Sequence, residues 1–279
     1  MRPPAIPVGW APPVDLRFGS RRLNAYQLFG AIGFVAAAAV GLLLTAARGL
    51  PLAPAMLFVA VGACVFLLLV AATKLVTGTE YIVYFHHEIA ILAAGAALLR
   101  GLGVPALPYL DLAMIGILVF LGFGRIGCLM VGCCHGRPAA AGVCYGPRHV
   151  EAGFPEELAG VRLVPVQALE SATALLVAGW GTALALTAAP GSALAWCVVA
   201  YGASRFFMLE PLRGDRRPSA FGLSHAQWLA AVRAAVVLVA VGAGLLPFGA
   251  ATFALAAATC LGAVLLVSRR RPAGRPLAS

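Results

Sequence analysis

Apolar runs of bilayer-crossing length recur through almost the whole chain, near residues 26–46, 54–73, 81–99, 109–124, 166–188, 192–210, 229–246 and 249–267. A hydrocarbon core about 30 Å thick needs about 20 helical residues, and the runs come close to that length. In lipid every backbone polar group must be satisfied internally, so only helices or a closed barrel can span. The runs lack the alternating pattern and turn spacing of a barrel. The fold class is therefore all-α: a polytopic integral membrane bundle of seven to eight transmembrane helices. Composition agrees, with 62% hydrophobic and 11% charged residues and a mean hydropathy of +0.95, far outside the range of a soluble domain. Leu246-Pro247-Phe248-Gly249 joins the last two runs as a turn, which predicts a terminal helical hairpin.

Three regions follow. Residues 1–25 form an N-terminal extramembrane segment with Arg2, Arg17, Arg21, Arg22 and five prolines. It has no short apolar core before a small-residue cleavage site, so the first helix is expected to act as an uncleaved signal. Residues 26–268 are the transmembrane domain, and 269–279 a basic tail. The long polar connection, 125–165, is rich in Gly and Pro and is expected to form a small extramembrane cap between the fourth and fifth helices. With eight spans, nearly all loop and terminal arginines fall on the side of this connection, and only Arg48 and Arg100 on the other. The positive-inside rule would place that side in the cytoplasm, but arginines that bind substrate are poor topology markers. The net charge of +10 flanks membrane spans rather than a recognition helix or aromatic-studded strand, so the expected partners are the membrane and anionic lipid, not nucleic acid.

Ionisable residues at membrane depth are costly and mark function by default. Tyr81 to Glu88 opens the third span with His86, His87 and Glu88. An imidazole there can exchange a proton near neutral pH or simply bond a neighbouring helix, and Glu88 reads as a structural partner to an arginine. The sixth span ends with Tyr201, Arg205, Glu210 and Arg213. This cluster suits a phosphate, or else an ion pair that satisfies its own charges. Pro165, Gln167 and Glu170 open the fifth span and read as scaffold polar groups. The run 124–138, GRIGCLMVGCCHGRP, sets arginines beside cysteines and a histidine.

In this order the motifs resemble the prolipoprotein diacylglyceryl transferase family of bacterial membrane enzymes. The resemblance rests on G-R-I-G at 124–127, G-x-x-x-G-R at 132–137, Pro-x-Gln-x-x-Glu at 165–170, Tyr-Gly-x-x-Arg-Phe at 201–206 with Glu210 and Arg213, and Gly222-Leu223-Ser224-x-x-Gln227. It implies a multi-pass protein of the bacterial cytoplasmic (inner) membrane, acting at its outer face. The diacylglyceryl group of phosphatidylglycerol, or of another anionic phospholipid, would pass to the lipobox cysteine thiol of a prolipoprotein signal peptide, releasing glycerol phosphate without a cofactor. By the same resemblance His86 or His87 would be base or orienting donor, and Arg125 and Arg205 would hold the phosphate. Tyr26, Cys128, Gly136, Arg137, Tyr201 and Arg213 would line the substrate site, with Glu210 fixing an arginine.

The chain departs from that pattern in four places. Cys128 stands where the family usually has asparagine and Cys133 where it has an acidic residue. His-His-Glu replaces His-Gly-Gly, and Arg205 and Glu210 lie one residue further apart. Cys128, Cys133, Cys134, His135, Cys144 and His149 crowd into one stretch, which leaves a soft-metal or redox site as an alternative reading. A disulfide from Cys144 to Cys133 or Cys134 is another. A related transferase with a different acceptor and a non-catalytic lipid-binding scaffold also fit the residues.

Overall fold

The computed structural model describes residues 11–78, 83–215 and 219–269. Arg2, Tyr81, Ile82, Arg216, Arg217 and the tail arginines Arg270, Arg271 and Arg275 lie outside the described residues. A short hairpin, β1 (Asp15–Phe18) and β2 (Arg21–Asn24), leads into α1 (Ala25–Ala47), α2 (Leu52–Thr77), α3 (Tyr84–Gly101) and α4 (Ala106–Val131). The cap follows, with β3 (Pro138–Cys144) paired to β4 (Arg162–Leu163) and α5 (Pro147–Glu151) between them. Then come α6 (Val166–Thr187), α7 (Ser192–Ser204), a π-helical turn (Arg205–Leu209), α8 (Glu210–Leu212), the hairpin β5 (Ser219–Ala220) and β6 (Leu223–Ser224), α9 (His225–Gly242) and α10 (Ala250–Ser268).

Among the described residues seven helical segments are long and apolar enough to cross a membrane, the one on the sixth run continuing from α7 through α8. The eighth, α3, is less apolar because His86, His87 and Glu88 open it and Arg100 ends it. Short turns reverse the chain between successive helices, so one end of the bundle collects β1–β2, the cap and β5–β6. The chain is a multi-pass membrane protein.

The central helix, α4, packs along both α1 and α6. Its contact with α1 depends on small residues, which let helix backbones approach closely in a membrane. A Cβ on Gly116 would lie 3.2 Å from the Ala37 carbonyl oxygen, and one on Gly127 would lie 3.2 Å from the Cα of Tyr26. Met114, Ile115 and Leu118 on α4 are fully buried in the core they share with α6, α7 and α9. Tyr145, Phe154, Leu129, Val143 and Leu163 form a second cluster that seats the cap on the end of α4.

Polar contacts away from the arginine cluster also tie helices together. Arg233 on α9 pairs with Glu88 on α3 and lies 4.5 Å over the Phe85 ring, the partner expected for Glu88. At the opposite end of the bundle Asp111 accepts from the backbone N–H groups of Gly191 (2.8 Å) and Leu194 (2.7 Å). A buried carboxylate there satisfies orphan donors at the start of α7 and complements its dipole. The helices also differ from the apolar runs. α4 continues past Gly124 to Val131 and ends at Gly132 in the left-handed conformation (φ 82°). Arg125 and Cys128 are therefore helical residues rather than part of the connection, because their polar groups find partners inside the bundle. Likewise α9 begins at His225, ahead of its apolar run, under a reciprocal Ser224–Gln227 capping box.

Replacing Asp111 with Ala leaves two backbone donors without their acceptor. The expected cost is about 1–3 kcal/mol per buried group left unsatisfied. It should appear as a lower unfolding midpoint in detergent and faster hydrogen exchange at Gly191 and Leu194.

Candidate active site

Pro165 precedes α6 without needing an N–H partner, and about one turn further on Glu170 points into the bundle, fully buried. Tyr201 donates its hydroxyl to Glu170 Oε1 at 2.6 Å. Arg205 Nη1 reaches the same oxygen at 3.2 Å, while Arg125 Nε lies 3.1 Å and Arg213 Nη1 3.4 Å from Oε2. One carboxylate thus gathers three guanidinium groups from two helices and a loop. Arg205 also pairs with Glu210 at 3.1 Å, and Arg213 grips Asp215 with two bonds of 2.9 and 3.1 Å. Isolated charges so deep would be prohibitively costly; mutual pairing makes the cluster tolerable.

Each arginine is delivered by its own device. Arg125 rides on the last turns of α4. Arg205 begins the π-helical turn, in which the Glu210 N–H bonds the Arg205 carbonyl five residues back. That turn absorbs the extra residue between Arg205 and Glu210 and returns both to one face, consistent with π-bulges as single-residue insertions at functional sites. Gln227 donates to the Phe206 carbonyl in this turn at 3.2 Å, tying the Gly-Leu-Ser-x-x-Gln motif to the π segment. Arg213 is set by backbone pairing: Arg137 N–H donates to the Leu212 carbonyl (2.9 Å) and Gly214 N–H to the His135 carbonyl (3.1 Å). This needs glycine at 136, since a Cβ there would run into the Val164 backbone. The Arg213 side chain lies just outside the span. Burial alone would lower its pKa, but the bond to Asp215 and the nearby charge of Glu170 hold it above its ordinary value.

Other expected site residues take differing places. Tyr26 stands at the start of α1, half-exposed, its backbone against Gly127. The Arg137 side chain is exposed, and only its backbone joins the bridge to Leu212. The two histidines part company. His86 stacks edge-on against His225, whereas His87 is buried against Phe66 and bonds the Val83 carbonyl through Nδ1 at 3.0 Å. Its Nε2 is buried without a partner. Among the described residues no hydrogen bond or ion pair joins either imidazole to the arginines. The link from α3 is Tyr84, whose ring lies 4.9 Å from Tyr201.

Three of the crowded cysteines converge: the sulfurs of Cys128, Cys133 and Cys134 lie within 4.8 Å of one another. Hydrogen bonds from Cys128 and Cys133, with help from Arg125 and Arg213, hold the Cys134 thiol below its ordinary value. Cys133 is correspondingly pushed up. His135 turns away to the Gly136 carbonyl and the Phe154 ring, His149 bonds the Gly146 N–H at 3.1 Å, and Cys144 is buried in β3 as a free thiol, so the disulfide to Cys133 or Cys134 is not formed. Reading by residue type took Glu170 and Gln167 for scaffold and passed over Asp215. The signal for the first two was their place in one motif with Pro165. Asp215 carried no signal beyond its nearness to Arg213.

Two curated relatives share part of this sequence. Phosphatidylglycerol–prolipoprotein diacylglyceryl transferase 2 of Clostridium perfringens is 32% identical over 126 residues, 43% of this chain and 45% of the relative. The phosphatidylglycerol–prolipoprotein diacylglyceryl transferase of Clostridium tetani is 32% identical over 128 residues, 44% of this chain and 48% of the relative. The chain thus spans about half the length of the relatives it matches. The model of the prolipoprotein diacylglyceryl transferase family matches residues 13–245, which include the arginine cluster, the thiol turn and the π-helical segment. The chain belongs to the prolipoprotein diacylglyceryl transferase family.

Proposed function

We propose that this protein transfers the diacylglyceryl group of phosphatidylglycerol to the cysteine thiol of a prolipoprotein signal peptide, releasing glycerol phosphate. The observation that carries the reading is the convergence of Arg125, Arg205 and Arg213 on the single buried carboxylate of Glu170. In this displacement the acceptor sulfur attacks the glyceryl carbon, the C–O bond to phosphate breaks, and negative charge grows on the departing phosphate. Guanidinium groups already fixed before the charge appears stabilise it without reorganising. Glu170 and Tyr201 supply that rigidity, and Glu210 and Asp215 hold the outer faces of Arg205 and Arg213. Arg125, the most exposed of the three at 12% of its side chain, presents the side from which a headgroup enters.

The acceptor must lose its proton, and of the two histidines His87 is the better general base. Its Nδ1–H donates to the Val83 carbonyl, which fixes the tautomer and leaves an acceptor lone pair on Nε2. We place the site end of the bundle at the outer face of the bacterial inner membrane. The arginines that weigh against this by the positive-inside rule include Arg125 and Arg213, which are paired with carboxylates and carry little topological information.

Purified protein given phosphatidylglycerol vesicles and a lipobox peptide should form a thioether-linked product with equimolar glycerol phosphate. Arg205→Ala should lower kcat by about 10²–10³-fold, the loss typical of one fixed transition-state donor. His87→Gln should lose about 10²-fold while His86→Gln stays near wild type. No product with any anionic lipid would refute the assignment. Glu170→Gln, which leaves three arginines sharing a neutral amide, should destabilise the fold by about 3–5 kcal/mol, read from the detergent unfolding midpoint. A Glu157→Cys variant, on the exposed cap, should react with a membrane-impermeant maleimide on intact cells; labelling only after permeabilisation would reverse the orientation.

A further inference from the structure

We infer that Cys128, Cys133 and Cys134 form a three-thiolate site for a zinc-class divalent cation, with its fourth position open to the acceptor thiol. The role of that fourth position rests on the transferase reading above; the site itself does not. Zinc with bonds of about 2.3 Å to sulfur in tetrahedral geometry sets its ligands about 3.8 Å apart. The three sulfurs already lie within 4.8 Å of one another, and small side-chain rotations close the difference. The turn that gathers them is built rather than incidental. Gly132 ends α4 left-handed, and Cys134 is also left-handed (φ 55°), a conformation a non-glycine residue rarely adopts and one that turns the chain back over Cys128. Gln167 holds the Cys133 carbonyl at 2.9 Å and Tyr145 holds the Leu129 carbonyl at 3.1 Å, so both limbs of the turn are pinned.

Burial and charge agree with one open position. Cys128 is buried, Cys134 half-buried and Cys133 exposed, which leaves the fourth direction on the accessible side. Three thiolates around a divalent cation carry one net negative charge, and Arg125 Nη1 stands 3.9 Å from the Cys128 sulfur to offset it. Three protein ligands with one open position is the pattern of catalytic rather than structural zinc. Coordination would replace the acceptor S–H with an S–metal bond, its proton passing to the general base assigned above, His87. The sulfur lone pair then forms the bond to the glyceryl carbon as the C–O bond breaks, its electron pair leaving on the phosphate oxygen. The neutral thioether is a poor ligand and departs. Arg125 touches both the thiol cluster and Glu170, which places the two reacting partners on either side of one side chain.

The test uses full-length protein purified under reducing conditions and loaded with zinc, then with cobalt(II) as a spectroscopic substitute. About one metal per chain should bind, falling at least about tenfold in Cys128→Ser and in Cys133→Ser with Cys134→Ser; Cys64→Ser, on α2, should retain it. The cobalt protein should show sulfur-to-metal charge-transfer bands and intense tetrahedral d–d bands. A cysteine lipobox peptide should shift the d–d bands and its serine counterpart should not. Binding below about a tenth of an equivalent, or binding unchanged in the cysteine variants, overturns the site. Stoichiometric metal whose cobalt bands ignore the cysteine peptide overturns the open-position role. These readouts need no turnover, so failed transfer with intact cobalt bands would count against the transferase reading alone. Chelation that removes the metal yet leaves transfer at full rate would count against the metal's catalytic role alone.

Discussion

A single carboxylate organises the functional end of this bundle. Glu170 accepts from Tyr201 and is paired with Arg125, Arg205 and Arg213, and none of its surface meets solvent. Remove that charge and three cations would face one another in a low-dielectric interior, where repulsion is screened poorly. The secondary structure around it follows from the need to bring these groups together. α4 extends to carry Arg125 inward, α7 widens into a π turn to aim Arg205, and an extended segment folds against Gly136 to set Arg213. Glu210 and Asp215 then occupy the outer faces of two arginines, limiting the directions in which they can swing.

The number and class of the helices could be read from the chain because length and apolarity are nearly sufficient to specify a membrane span. Their ends could not. Hydropathy stops at Gly124, where glycine and arginine begin, yet α4 continues because Arg125 and Cys128 find partners on other elements. The arginines were legible as a cluster, since charge beside lipid is itself a signal. Glu170 stood in a motif, but its place at the hub was hidden, because by residue type alone a Pro-x-Gln-x-x-Glu opening reads as an ordinary helix start until the facing helices are known. Gln167 was hidden for the same reason: its bond runs to the backbone of Cys133, across the cap.

The departures from the family pattern have two different physical outcomes. The extra residue between Arg205 and Glu210 is neutralised by geometry. One π turn takes up a single inserted residue, and the carbonyl it frees at Phe206 is bonded by Gln227, so the ion pair survives with a 3.1 Å separation. The cysteine substitutions are not neutralised. A thiol is only a weak donor and a weak acceptor, a poor substitute for an amide, and the three sulfurs gather on one another. The GRIG half of the GRIGCLMVGCCHGRP run is thus linked to Glu170 through Arg125, while its cysteines gather on one another.

Helix polarity adds to ion pairing for part of this cluster. Alternating traversal brings the C-terminal ends of α4 and α7 and the N-terminal end of α6 to the same side of the bundle. Unsatisfied carbonyls at a helix C-terminus favour cations, and free N–H groups at an N-terminus favour anions. Arg205 and Arg213 sit at the C-terminal end of the α7–α8 segment, where the dipole adds to their pairing; Arg125 and Glu170 lie beyond the terminal turns of α4 and α6 and are held by their ion pairs.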